Sequence, residues 1–246
     1  MAGSSKSYMM GGVCITGPSH ASSGLICQDA FAVASDSEYV VVVVSDGAGS
    51  AVHSDAASKL YVQEITRVLS GCETEMSIDR VRVSIIDAID NAKRLLVERF
   101  NAEPRDFAAT LVGAIARNRK SIVFHIGDGA AVLIGGDGEE FVSQPENGEY
   151  ANETFFVTMK NWADHLRLTA VPFCPTAMFL MSDGVTPFAL AKGGISTGFL
   201  KPIWSFLSAK GTEEGILGVE NLLKSDGASK ISNDDKTLAW AILKND

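Results

Sequence analysis

Residues Tyr39–Ser50 read Y-V-V-V-V-V-S-D-G-A-G-S. Five consecutive valines, β-branched and unbroken by any polar side chain, specify a strand buried on both faces rather than on one. The strand delivers Asp46 into a run of small residues, and a long helical pattern follows. A carboxylate at the end of a rigid strand, with Gly47 and Gly49 letting backbone or ligand come close, can hold a cation. Asp-Gly is also among the commonest turn dipeptides, so this stretch alone leaves a plain turn open.

The same device recurs downstream. Ser121–Gly129 reads S-I-V-F-H-I-G-D-G and Ala177–Gly184 reads A-M-F-L-M-S-D-G. Each is an apolar run followed by Gly or Ser, then Asp, then Gly. Strands ending alike could bring Asp46, Asp128 and Asp183 together at one end of a sheet. The intervals between them are irregular, which excludes a tandem repeat.

Working outward, residues 8–15 and 30–35 have the pattern of two short strands, joined by a loop carrying His20, Gln28 and Asp29. From Ala51 to Leu69, Ala56, Leu60, Val62, Ile65 and Leu69 recur at helical spacing, with Ser54 or Asp55 as caps. A second helix is expected from about Ile78 to Phe100, with Val81, Ile85, Ile89, Leu95, Leu96 and Phe100 as its apolar stripe and Asp79 in its first turn. After Pro104 the texture changes to strands: Phe107–Ala116, Ile122–Ile126, Ala130–Ile134 and one near Phe141, joined by N-R-K, G-D-G and G-G-D-G-E turns as a meander of hairpins. Residues 144–153 form a polar loop, and strands are expected at Thr154–Met159, Leu166–Val171 and Ala177–Met181. Helical segments follow at about 185–191, 199–208 and 213–224, then a polar loop S-K-I-S-N-D-D-K and a strand from Thr237 to Leu243. Strands, two helices, then many strands without βαβ alternation indicate an α+β fold with antiparallel sheets.

The bulk composition narrows the function classes. At 46% hydrophobic and 21% charged, the chain can bury a sizeable core. No compositional shift or Pro-rich or Ser-rich linker divides it, so residues 1–246 read as a single domain. A net charge of -9 argues against nucleic-acid binding and against an acidic membrane surface. An acidic protein acting on phosphorylated substrates needs cations at its site to reverse the local sign. Cys14, Cys27, Cys72 and Cys174 are scattered without a Cys-x-x-Cys pair, and free thiols fit a reducing cytoplasm. No stretch is long and apolar enough for a signal peptide after Lys6 or for a membrane span.

Taken in order, Gln28–Ala30 (Q-D-A), Ser45–Gly49 (S-D-G-A-G), Phe107–Gly113 (F-A-A-T-L-V-G), Ile126–Gly129 (I-G-D-G), Met181–Val185 (M-S-D-G-V) and Asn233–Thr237 (N-D-D-K-T) resemble the protein phosphatase 2C family. The bacterial branch opens with a G-x-x-H-x-x-x-G-x-x-C-Q-D-A-like pattern, which Gly17, His20, Gly24, Cys27, Gln28, Asp29 and Ala30 match in register. The segment Glu149–Phe155 is also similar to that branch. The resemblance covers about residues 10 to 243. It implies a four-layer α/β/β/α sandwich: two antiparallel sheets flanked by helices, with two Mg²⁺ or Mn²⁺ ions in a cleft at one end. By motif match Asp46 bridges the ions, the Gly47 carbonyl ligates the second, and Asp183 and Asp234 complete the first site. Asp128 with Asp183 would hold a third, weaker ion, and Asp29 would act through water. The implied activity is a metal-dependent phosphoserine and phosphothreonine phosphatase. Its substrates would be phosphorylated proteins, its opposite a Ser/Thr kinase, and the working form a monomer.

The residue types agree with that chemistry. Hard divalent ions take oxygen ligands and keep several waters, so a few carboxylates suffice. Converging carboxylates without cations repel, and some must take up protons. Two ions about 4 Å apart can share a hydroxide that attacks phosphorus directly. None of the four cysteines has an Arg six residues on, as the loop of the cysteine phosphatases requires.

The chain departs from the family at three places. Gln28 stands where Glu is frequent; the phosphate-gripping Arg of many eukaryotic members would fall near Gly24 and is missing; and Asp235 replaces the usual Asn, leaving Asp234 and Asp235 as alternative ligands, with Asp234 favoured on register with Thr237. His20 could grip phosphate, serve as the general acid, or be a loop histidine with a structural hydrogen bond. His125 reads as a satisfied core or cross-strand residue, His53 and His165 as surface residues, and Trp162, Trp204 and Trp240 as core or edge fillers. Residues of about Ala189 to Ser208 lie where a variable flap beside the cleft is expected. Two rivals remain: a nucleotide binder, whose third glycine fails at Val52, and a pseudophosphatase scaffold, opposed by the intact Asp46, Asp183 and Asp234.

Overall fold

The computed structural model describes residues 7–71, 76–117, 120–146, 154–191 and 194–244. One sheet has the order β1 (Tyr8–Ile15), β12 (Lys236–Leu243), β9 (Ala177–Met181), β6 (Ala130–Ile134), β7 (Glu140–Ser143). The second runs β2 (Ala30–Ser35), β3 (Tyr39–Ser45), β4 (Leu111–Arg117), β5 (Lys120–Ile126), β8 (Arg167–Val171). All neighbouring strands in both sheets are antiparallel.

The valine run explains how the layers stack. Val40, Val42 and Val44 point between the sheets, where they join Val112, Ala114 and Val123 against Leu133, Met178, Leu180, Ala239 and Ala241 of the facing sheet. Val41 and Val43 point the other way, into a core shared with the helices α2 (Ser54–Ser70) and α3 (Ile78–Phe100). Alternate valines thus bury both faces of one strand. On the far side, Val132, Phe179 and Trp240 of the first sheet meet Leu200, Ile203, Leu207 and Val219 of α6 (Thr197–Leu223). The result is the expected α/β/β/α sandwich. Helix α6 breaks at Gly211 (φ 77), which leaves two helical segments close to the two expected from the sequence.

Local details follow the residue chemistry. Ser77 caps α3 by accepting from the Arg80 N–H, and Asn101 closes it with a left-handed φ of 50. Helix α2 begins without a side-chain cap, so the expected Ser54 or Asp55 cap is absent; Ser54 is the first helical residue and is buried. The short helix α1 (Pro18–Ser22) lies in the loop after β1, and α4 (Trp162–His165), α5 (Thr186–Ala189) and α7 (Asp226–Ile231) are also short. The two-residue strands β10 (Leu190–Ala191) and β11 (Gly194–Ile195) pair with each other.

The fold differs from the sequence expectation at several points. The chain from β5 to β6 is not a hairpin: Gly127-Asp128-Gly129 carries it from one sheet to the other, with φ +104 at Gly127. Turn residues look alike in both situations, so spacing could not separate them. Within Thr154–Met159, Thr154 forms an isolated bridge and the remainder is turn or coil rather than strand. Helix α7 occupies part of the expected polar loop, capped by the Ser225 hydroxyl, which accepts from the Ala228 N–H. His53 and His165 are half-buried rather than on the surface: His53 stacks on Phe100 at 4.3 Å and His165 on Phe155 at 3.8 Å. The N-R-K turn residues 118–119, most of the loop 144–153, the start of the Glu149–Phe155 segment and Cys72 lie outside the described residues. No helix among the described residues is long and apolar enough to cross a membrane.

Two adjacent leucines of α3 separate core from surface. Leu96 is 2% exposed in the helix–sheet core, whereas Leu95, expected in the same stripe, is 37% exposed. Leu96→Ala is expected to cost about 2–5 kcal/mol of unfolding free energy. Leu95→Ala should stay within about 1 kcal/mol. Urea denaturation of both variants measures the contrast, and equal losses would contradict this placement of the helix.

Candidate metal centre

The strand registers place every expected acidic residue at the same end of the sandwich. Asp46 follows β3, whose end pairs with the start of β2 (Ala30↔Ser45) and of β4 (Val44↔Val112). Asp128 lies between the end of β5 (Leu111↔Ile126) and the start of β6 (Ala130↔Met181). Asp183 follows β9, and Asp234 precedes β12, which pairs with it (Leu238↔Met181). Both sheets therefore contribute to one cleft of about 620 Å³, lined among others by His20, Asp46, Gly47, Gly49, Thr110, Asp128, Thr154, Asp183 and Asp234.

Within the cleft, oxygens of Asp46, Asp128 and Asp183 lie within 4.8 Å of one another. Asp234 faces the same space but stands outside that trio. Its Oδ1 accepts the Asp235 N–H at 2.9 Å. Asp29 is buried behind the cleft, where its Oδ2 accepts the Ser182 hydroxyl at 2.7 Å. Gly184 shows how tightly the wall is built, because a Cβ there would come 1.8 Å from the Asp235 carbonyl oxygen. Asp235 does not line the cleft. Its Oδ1 accepts the Gly17 N–H at 2.7 Å, and its Oδ2 accepts the Gln28 N–H at 2.7 Å and pairs with His20 Nδ1 at 2.9 Å. The Gln28 side-chain oxygen is buried without a partner.

Several supporting residues carry no signal in the sequence taken by itself. The Thr110 hydroxyl accepts the Asp46 N–H at 3.3 Å, while the Thr110 N–H donates to the Asp46 carbonyl at 2.8 Å. The Thr154 hydroxyl donates to Asp128 Oδ2 at 2.7 Å. Both threonines sit inside segments already noted for resemblance, F-A-A-T-L-V-G and the E-T-F of 153–155. Lys236 is buried, and its Nζ donates to the Asp234 carbonyl at 3.0 Å, directly behind the acidic group. Thr154, Phe156 and residues 231–234 also line the cleft; no described residue of the expected flap, 189–208, does. His125 is buried as expected, with Nδ1 accepting from Arg167 at 3.0 Å and lying 2.7 Å from the Ser143 hydroxyl of the other sheet.

Crowding shows in the proton affinities. Burial, then the charges of Asp29 and Asp183, pushes the Asp46 carboxyl well above the ordinary range. Burial also raises Asp29 to about 7, opposed by the Ser182 hydrogen bond, and Asp183 to about 6, with Asp128 adding to the rise. The side-chain oxygens Asp29 Oδ1, Asp128 Oδ1 and Asp183 Oδ1 are buried without a hydrogen-bond partner. The orphaned oxygens of Asp128 and Asp183 around a shared space, both hard donors, fit divalent cations of the Mg²⁺ kind.

Three comparisons bear on this arrangement. Residues 16–223 match the family model described as protein phosphatase 2C. Serine/threonine-protein phosphatase 3 of Escherichia coli (strain K12) is 30% identical over 241 residues, covering 92% of this chain and 94% of that protein. Among solved structures, PppA, a key regulatory component of T6SS in Pseudomonas aeruginosa, superposes with a TM-score of 0.67 at 17% identity, covering 96% of this chain and 97% of its own. RsbX, crystallised in complex with magnesium, superposes with a TM-score of 0.58 at 15% identity, covering 96% of each chain.

The raised carboxyls have a consequence for the chain kept in chelator. Unfolded aspartates titrate near 4, so between about pH 4 and 7 the folded chain binds more protons than the unfolded one through Asp183 and Asp29. Their contribution to stability is therefore full below that window and lost as pH rises through it. Asp46→Asn, which removes one of the repelling charges, is expected to stabilise the fold at about pH 8 and to lose that advantage towards about pH 4. His125, lowered to about 3 by burial and by the Arg167 charge, gives the opposite slope in both proteins and cancels in the difference. Urea denaturation across this range measures it; a destabilised Asp46→Asn at about pH 8 would contradict the crowding.

Proposed function

The chain belongs to the protein phosphatase 2C family, and from that premise we propose that it dephosphorylates serine and threonine side chains of proteins with two divalent cations, Mg²⁺ or Mn²⁺, held in the acidic cleft. As a phosphoprotein phosphatase it is a hydrolase acting on phosphoric monoesters. The observation that carries the finer reading is the convergence of Asp46, Asp128 and Asp183 from both sheets, with unpartnered oxygens on Asp128 and Asp183. RsbX, of the same fold, was crystallised with magnesium, which supports a hard cation.

In this reading Asp46, Asp183 and Asp234 hold the first ion, and Asp46 with the Gly47 carbonyl holds the second. Asp128 and Asp183 offer a weaker third position, and Asp29 acts through water. When bound, such ions supply positive charge and lower the pKa of coordinated water, making it nucleophilic near neutral pH. The protein's part is to fix and shield the carboxylates. Thr154 holds Asp128, Thr110 holds the Asp46 backbone, and Ser182 holds Asp29 behind them. No described residue lining the cleft is Lys or Arg, so the chain's own donors to a phosphate there are His20, neutral side chains such as Ser19, Ser50 and Asn233, and backbone N–H groups. In this reading His20 acts as general acid. The substrates are phosphoproteins made by a Ser/Thr kinase. The scattered thiols of Cys14 and Cys27 support work in the cytoplasm.

The test is hydrolysis of p-nitrophenyl phosphate and of a phosphothreonine peptide with Mn²⁺, with and without chelator. Asp46→Ala should lose at least about 100-fold, the loss that removing a group one shell further out can already cause. Chelation should abolish turnover reversibly. No turnover from folded, Mn²⁺-loaded protein would overturn the reading, and retained turnover in Asp46→Ala would overturn the ligand assignment.

A further inference from the structure

Asp235, beside the expected ligand Asp234, does not line the cleft. Asp235 is 2% exposed, and both of its oxygens are engaged by three donors: Gly17 N–H, Gln28 N–H and His20 Nδ1. A carboxylate accepts at each of these contacts, so the Nδ1 of His20 carries a hydrogen. Its partner nitrogen is thereby committed to the cleft side. A Cβ built on Gly49 would lie 3.7 Å from His20 Nε2, and both residues line the cleft, which sets Nε2 over the turn that follows Asp46.

Resting on the phosphatase reading above, we propose that Asp235 is a positioning residue that fixes the His20 ring so that Nε2 protonates the departing serine or threonine oxygen. The logic is that of a buried carboxylate choosing which imidazole nitrogen faces the chemistry. The clamp also ties the loop of α1 and the Gln28 backbone to the strand entering β12, so ring orientation depends on residues from both ends of the chain. In the step, the water oxygen bonds to phosphorus and the ester P–O bond breaks with its electron pair on the serine oxygen. That oxygen takes the Nε2 proton from the imidazolium. The imidazole is reloaded by the proton that the attacking water releases. An alkoxide is a poor leaving group and needs this proton, whereas p-nitrophenolate leaves without it. An amide at position 235 would still accept from one backbone N–H but would not accept from Nδ1 in the same geometry.

The experiment compares a phosphoserine peptide with p-nitrophenyl phosphate for the Mn²⁺-loaded wild type, Asp235→Asn, His20→Gln and the double variant. Both single variants should lose about 100-fold in kcat on the peptide with KM changed less than about 3-fold. On the aryl ester the loss should be at least about 10-fold smaller. The double variant should be no worse than either single one, as for residues that act as a unit. A proton resonance from the imidazole Nδ1–H, read by NMR without metal or substrate, should be sharp in the wild type and absent from both variants. Thermal melting checks folding; if Asp235→Asn does not fold, the resonance in the wild type and the leaving-group ratio of His20→Gln decide the matter. Equal losses on both substrates, additive losses in the double variant, or full peptide turnover in His20→Gln would overturn the proposal. A wild type that hydrolyses neither substrate would instead overturn the phosphatase reading beneath it.

Discussion

Bringing carboxylates together in a buried place is unfavourable, and the rest of this structure is arranged to make it possible. Burial and mutual repulsion raise the proton affinities of Asp29, Asp46 and Asp183 together. Such a group persists only where rigid elements over-determine it and where compensating charge can enter. Part of the compensation is built in, since buried Lys236 lies beside the acidic group with Asp234, Asp235 and Asp29 as its charge partners. The rest must come from outside, which is why the cleft wall is open and rich in oxygen donors rather than sealed.

The sandwich supplies the rigidity. The valine strand is packed on both faces, so the turn that carries Asp46 hangs from a close-packed element. Strand ends from two sheets must meet for the cleft to exist, and the Gly127–Gly129 crossover stitches them on the cleft side. Hydroxyls then trim the aim of individual carboxylates, as Thr154 does for Asp128 and Ser182 for Asp29. Each hydrogen bond of this kind contributes modestly, about 1 kcal/mol, but each also removes a rotamer that would spread the charges apart.

The two consecutive aspartates before β12 divide the labour. Asp234 faces the cleft, whereas Asp235 turns into the protein and gathers donors from the N-terminal segment. The chain bends at Asp234 just before β12, and the two identical side chains serve two roles. The close approach of Gly184 to the Asp235 carbonyl holds that division in place.

From the sequence alone, the double-sided valine strand, the two amphipathic helices and the ordered Asp-Gly motifs were legible, because burial period and turn chemistry are local properties of the chain. Those features carried the fold class and the cluster of Asp46, Asp128 and Asp183. The surroundings of the site were not legible: Thr110, Thr154 and Ser182 are ordinary residues whose partners lie far off in the chain. Nor could spacing distinguish the 127–129 crossover from a hairpin, or show that Thr154 and Phe156 line the cleft. The register with Thr237 already favoured Asp234, but only the tertiary structure showed what Asp235 does instead and where His20 points. The reason is physical: those outcomes depend on hydrogen bonds from Gly17, His20 and Gln28 to a carboxylate over 200 residues away, and long-range contacts leave no periodic trace in the sequence.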